Sequence, residues 1–125
     1  LVVCGEDGLD ELTITGATHV AELNSGEVST YRLTPAQLGL STAGLEPLMV
    51  ASAAESGQII QQVLAGESGP ARDIVLANAG AAIYVAGLAD SLLAGVERAA
   101  EVIDNAQAAG KLAALIELTQ RLGAA

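Results

Sequence analysis

Four carboxylates fall within six residues near the start of this 125-residue sequence: Glu6, Asp7, Asp10 and Glu11, in the stretch VVCGEDGLDELTI. Acids packed so closely repel one another unless a cation sits among them. A hard divalent cation such as Mg²⁺ takes carboxylate oxygens, commonly one or two from the protein, with phosphate and water completing its shell. Asp10 and Glu11 are the best candidates for such a metal pair. Neighbouring strand residues point to opposite faces, but just past a glycine-containing turn both side chains can curl toward one ion. The end of a strand is also where open α/β sheets bind ligands. By residue type alone the commoner alternative is a solvated acidic turn, and Glu6 and Asp7 read as plain turn residues.

Other side chains able to do chemistry are sparse. His19 is the single histidine, with no Cys–His or Ser–His partner near it in sequence, and reads as a strand-surface or turn residue. Cys4 is most simply a core thiol whose neighbouring carboxylates would blunt its nucleophilicity. Asn78 lies inside an apolar stretch, so its amide is expected to bond a loop carbonyl. Arg72 and Asp73 fall in a helix's first turn, where aspartate suits the dipole, and Arg72 is read as half of an ion pair. GESG, residues 66–69, lacks the lysine of a phosphate-cradling loop and reads as a helix-to-helix turn.

These residues must be positioned by a chain that is 51% hydrophobic and 16% charged, with Tyr31 and Tyr84 as its two aromatics. A net charge of −10 with five scattered Lys and Arg argues against nucleic-acid binding. One cysteine excludes an internal disulfide and agrees with a reducing cytoplasm. No apolar run approaches the roughly 20 residues a membrane span needs. The sequence has no signal-peptide design, lacks an initiator Met and begins inside an apolar strand, so a fragment or processed chain is expected.

Residues 1–33 read as a β portion. LVVC is a short apolar run of the kind covered on both faces, ELTIT and THVAEL are β-rich, and ELNSGEVSTYRL reads as a hairpin with a three-residue Asn24-Ser25-Gly26 loop. TPAQLG predicts one helical turn with Thr34 as cap and Gly39 as stop. Residues 52–122 read as helical. Ser52 and Glu55 form a capping box before a helix closed by Gly66. A second helix opens at Pro70 and ends before Gly87, apolar almost all round between Ile74 and Ala86 and so expected to be buried. A third starts at Asp90, striped by Leu92, Leu93, Val96, Ala99, Ala100 and Ile103. The last runs from about Gln107 to Leu122, striped by Leu112, Leu115, Ile116 and Leu122. A two-face-covered strand and an all-apolar helix both need neighbours. The expectation is therefore a partial α/β domain over residues 1–125, belonging to a larger one with further parallel strands.

VVCGEDGLDELTITGATHVAEL resembles the segment of anthranilate phosphoribosyltransferases in which Val-Val-His-Gly and a spacer precede Gly-Leu-Asp-Glu. The likeness continues through GEVSTYRLTPAQLGL, AAESGQIIQQVLAGESGPARDIVLANAGAAIYVAG and ADSLLAGVERAAEVIDNAQAAGKLAAL. It covers essentially the whole chain and matches the C-terminal part of a full-length member. The resemblance implies the C-terminal part of a nucleoside phosphorylase/phosphoribosyltransferase-like α/β domain. It implies transfer of the phosphoribosyl group of phosphoribosyl pyrophosphate to anthranilate in tryptophan biosynthesis, with Mg²⁺ at the pyrophosphate held by Asp10 and Glu11. It also implies a cytoplasmic homodimeric parent.

The family's Gly-Thr-Gly-Gly-Asp turn and Lys-His-Gly-Asn segment have no counterpart here, nor does its N-terminal helical domain, so the chain alone is expected to be inactive. Within the match, Cys4 stands where members commonly have His. Val50 and Ala51 replace two glycines, Ser52 an aspartate and Ser56 an asparagine. Those departures keep two alternatives open: a non-catalytic metal-binding or regulatory piece of the same fold, and a pyrimidine nucleoside phosphorylase-like paralogue with a different acceptor.

Overall fold

A computed structural model describes residues 1–123. Val2–Gly5 (β1), Thr18–Asn24 (β2) and Glu27–Leu33 (β3) form an antiparallel sheet in the order β1-β2-β3. Four helices follow: α1 (Ala53–Leu64), α2 (Pro70–Val85), α3 (Leu92–Asp104) and α4 (Gln107–Gly123). The expected order, strands with a hairpin and then four helices, is the observed one. Val20 and Leu33 of the sheet join Leu12, Leu38, Val63, Leu76, Ala77, Val96, Ala99 and Ile103 in one core between the sheet and the helices.

Local signals account for most boundaries. Ser25 and Gly26 have φ of 52° and 86°, and Asn24 pairs with Glu27. The hairpin loop is therefore two residues long, not three, as the twist of the flanking strands favours. Gln37 Oε1 accepts the Thr34 backbone N–H at 2.8 Å, opening the short 3-10 turn Pro35–Leu38. Ser52 caps α1 by accepting the Glu55 N–H at 3.2 Å, while Glu55 reaches back one residue further than a capping box requires, to the Ala51 N–H. Ser91, not Asp90, caps α3. Where α2 crosses α3, Gly80 and Gly95 bring the backbones together: a Cβ on Gly80 would lie 2.5 Å from the Val96 nitrogen.

Four further expectations are corrected. ELTIT forms no strand, because side chains take the bonds a ladder would supply. Asn78 holds Leu12, Thr18 Oγ1 accepts the Thr13 N–H, and Thr13 Oγ1 accepts the Thr15 N–H. LVVC is not covered on both faces: β1 is an antiparallel edge strand, and Val2 is 75% exposed. Cys4 is exposed rather than a core thiol. It shares the open outer face of the sheet with His19, its cross-strand neighbour, and with Arg32, which pairs with His19 from β3, while the helices pack on the opposite face. Finally, α2 buries Leu76, Ala77 and Gly80 but leaves Val75 and Val85 exposed. The α4 stripe likewise leaves Leu115, Ile116 and Leu122 uncovered. No element within the described residues lies over those faces.

Candidate functional site

The acidic stretch is a tight loop rather than a loose turn. Gly5 N–H donates to the Leu9 carbonyl at 2.8 Å, and Gly8, at φ 92°, donates to the Gly5 carbonyl. Asp7 organises the interior of this loop. Its carboxylate accepts the Thr13 and Thr15 hydroxyls, each at 2.5 Å, and the Leu9 N–H at 3.1 Å. Those two hydroxyls, foremost, hold its pKa below the ordinary carboxylate value. Glu6 turns the other way and meets the Arg32 guanidinium, with His19 Nε2 at 3.6 Å. Glu6 and Asp7 are therefore turn residues, as read from the sequence, and each has its own compensating partners. His19 is the expected surface residue.

Asp10 and Glu11 have no such compensation: none of the ion pairs among the described residues involves either. Asp10 is exposed, and Glu11 is half-buried. Burial first, then the charges of Asp10 and Asp7, push the Glu11 carboxyl above its ordinary pKa. An anion raised in this way by its neighbours is stabilised by any cation placed among them. Glu11 lines a cleft of about 510 Å³ whose other walls are almost wholly apolar, including Leu9, Leu48, Met49, Ile59 and Val75.

The span Asp10–Glu11 is strung between two fixed points. Before it, Leu9 is tied to Gly5 and Asp7. After it, Leu12 is 1% exposed, and its backbone meets the Asn78 side chain twice. Asn78 Oδ1 accepts the Leu12 N–H at 2.9 Å, and Nδ2 donates to the Leu12 carbonyl at 2.9 Å. Nδ2 also donates to the Ile74 carbonyl at 3.0 Å. The carbonyl contact matches the sequence reading of Asn78. The reciprocal amide bond, which makes the residue a clamp, was not foreseen; the signal for it was a polar amide inside an apolar helix. Arg72 forms the expected ion pair, with Asp104 at 2.8 Å.

The donor set suits Mg²⁺. Among the described residues no group of three or more His, Cys, Asp and Glu side chains is placed to hold a metal by itself. Two adjacent carboxylates fit a cation that takes its remaining oxygens from phosphate and water. Carboxylate oxygens suit a hard cation such as Mg²⁺ better than a softer metal.

The family model described as glycosyl transferase family, a/b domain, matches residues 1–109. An anthranilate phosphoribosyltransferase of Nitrosomonas europaea is 48% identical over 124 residues, covering 99% of this chain and 36% of that protein. The crystal structure of anthranilate phosphoribosyltransferase from Thermus thermophilus superposes with a TM-score of 0.76 at 40% identity, over 85% of this chain and 31% of that one. The Saccharomyces cerevisiae enzyme in complex with PRPP and Mg gives 0.78 at 26% identity, over 88% and 32%. The chain thus spans about a third of the length of the relatives it matches. The family resemblance read from the sequence is borne out, as is the α/β class.

Proposed function

We propose, on the premise that this chain belongs to the glycosyl transferase family with its a/b domain, that the protein carrying it is an anthranilate phosphoribosyltransferase. In this reading it moves the phosphoribosyl group of phosphoribosyl pyrophosphate to the amino group of anthranilate, and Asp10 and Glu11 hold the Mg²⁺ that meets the pyrophosphate. The supporting observation is a half-buried Glu11, flanked by Asp10 and Asp7 and lacking a cationic partner, in a loop fixed on both sides. Relatives sharing this architecture include one bound to PRPP and Mg.

Bound there, Mg²⁺ would act as a Lewis acid and template for the charge that develops on the leaving pyrophosphate. The chain's own part is positional. Asp10 and Glu11 supply oxygens, the Asp7-centred loop fixes their approach, and Leu9 and Met49 place apolar surface beside Glu11. Low local polarity strengthens each charge interaction made there.

The reading extends to the remainder of the protein. Residues 1–125 form part of a larger α/β domain whose further strands would border β1, in a cytoplasmic homodimer. Among the described residues no helix is long and apolar enough to cross a membrane. The test is turnover: a chain of the relatives' length carrying these residues should consume anthranilate and phosphoribosyl pyrophosphate only when Mg²⁺ is present. A well-folded chain of that length without turnover would exclude it.

A further inference from the structure

We propose that Asn78 is the positioning residue of the Asp10–Glu11 pair, setting the metal geometry from the second helix without touching metal or substrate. This rests on the function proposed above.

Leu12 lies in irregular backbone, so its N–H and C=O have no sheet partner. Buried backbone groups in that position must find side-chain partners or cost about 1–3 kcal/mol each. Asn78 satisfies both at 2.9 Å, mimicking the edge of a neighbouring strand across 66 residues of sequence. Its third bond, from Nδ2 to Ile74 at 3.0 Å, fixes which end of the amide donates. One acceptor and two donors are required together, and only a carboxamide of this length provides them. Aspartate has the same shape but, when ionised, cannot donate to either carbonyl.

The consequence falls on Glu11. Leu12 sits in the core and its backbone is clamped, so Glu11 has a fixed exit, and Leu9 fixes the entry to Asp10. Of the two anchors, the one before the pair is local, made by Asp7, Thr13 and Thr15 within the loop. The one after it is the Asn78 clamp. Two carboxylates can share an ion only when held in a narrow geometry, and groups that orient metal ligands change affinity about 10–100-fold when lost. Asn78 therefore ties metal affinity to the docking of α2 on the loop.

The experiment compares Asn78→Asp with Asp10→Asn and Glu11→Gln in a chain of the relatives' length, titrating Mg²⁺ in the turnover assay. In parallel, amide hydrogen exchange at Leu12 is measured in the same chain without metal. The expected result for Asn78→Asp is a rise of about 10-fold or more in the Mg²⁺ needed for half-maximal rate, with most of kcat regained at saturating Mg²⁺, and faster Leu12 exchange. Ile103→Val, a core change on α3, controls for general loss of stability and should leave the Mg²⁺ requirement unchanged. Should Asn78→Asp not fold, Asn78→Ser serves: its hydroxyl can still bond the Ile74 carbonyl but cannot reach Leu12. An Asn78 variant with unchanged Mg²⁺ requirement, while Asp10→Asn and Glu11→Gln shift it, overturns the positioning role alone. Unchanged requirement in all of them overturns the metal reading with it.

Discussion

Tyr84, near the end of α2, donates its hydroxyl to the Glu22 carboxylate on β2 at 2.5 Å, and Tyr31 on β3 donates to the same carboxylate at 2.7 Å. One anion thus joins sheet and helix through both of the chain's aromatic side chains. Glu22→Gln keeps the shape and removes the charge, and hydrogen bonds to an ionised acceptor are roughly twice as strong as neutral ones. A loss of about 1 kcal/mol is expected at this partly exposed site, read from the urea midpoint. Tyrosine emission, quenched by carboxylate contact, should rise in the folded variant. Unchanged emission would show that the two hydroxyls do not share Glu22 in solution.

The carboxylates give stability opposite dependences on pH. Hydroxyl donors hold Asp7 and Glu22 below the ordinary carboxylate value. Each therefore contributes stability that is complete above that ordinary value and lost as pH falls through its folded pKa. Burial and neighbouring acids raise Glu11 instead, so its ionisation costs stability as pH climbs from the ordinary value through the raised one. In metal-free melts of the 125-residue chain, Glu11→Gln should raise Tm near neutrality and leave it almost unchanged near pH 3, below the ordinary carboxylate value of about 4. A shift of equal size at every pH would contradict this account.

Much of this arrangement was legible in the sequence. Thr34, Ser52, Pro70, Gly66 and Gly87 marked real boundaries, because caps and left-handed turns depend on local chemistry. Asp10 and Glu11 stood out because they crowd charge in a short span. The misread parts depend on contacts distant in sequence. ELTIT has strand-like residues, yet Asn78 and Thr18 claim its backbone. Cys4 has the composition of a buried strand end, but burial depends on what lies over the sheet, and the outer face carrying His19 and Arg32 is open. Asp7 is the turn acid expected, but its place at the centre of the loop is not legible, since nothing local shows that Thr13 and Thr15 fold back onto it.

The α2–α3 crossing tolerates no side chain at Gly95, where a Cβ would run into the Gly80 carbonyl oxygen. The obstacle is backbone and cannot rotate away. Gly95→Ala should cost about 1–3 kcal/mol through forced separation of the helices, against the small gain that alanine normally gives inside a helix. A denaturant melt in which the variant matches or exceeds the parent would refute the close crossing.

The cleft beside Glu11 presents Met49 and Ile60 to solvent at 68% and 48% exposure. Apolar area of this kind on a chain of 125 residues should bind an environment-sensitive dye such as anilinonaphthalene sulfonate while the chain is fully folded. Met49→Lys with Ile60→Lys should lower that signal and leave the melt cooperative, the remainder coming from the exposed faces of α2 and α4. Dye binding undiminished by both changes would show that the cleft is not where the dye binds.

The central claim is that Asp10 and Glu11 hold a metal ion for pyrophosphate departure. It is tested most directly by the Mg²⁺ dependence of phosphoribosyl transfer in a chain of the relatives' length carrying Asp10→Asn or Glu11→Gln. The account predicts a rise of about 10-fold or more in the Mg²⁺ needed for half-maximal rate in each variant, with the fold intact by melting. Variants that turn over anthranilate at the parent rate with the parent Mg²⁺ requirement would contradict it.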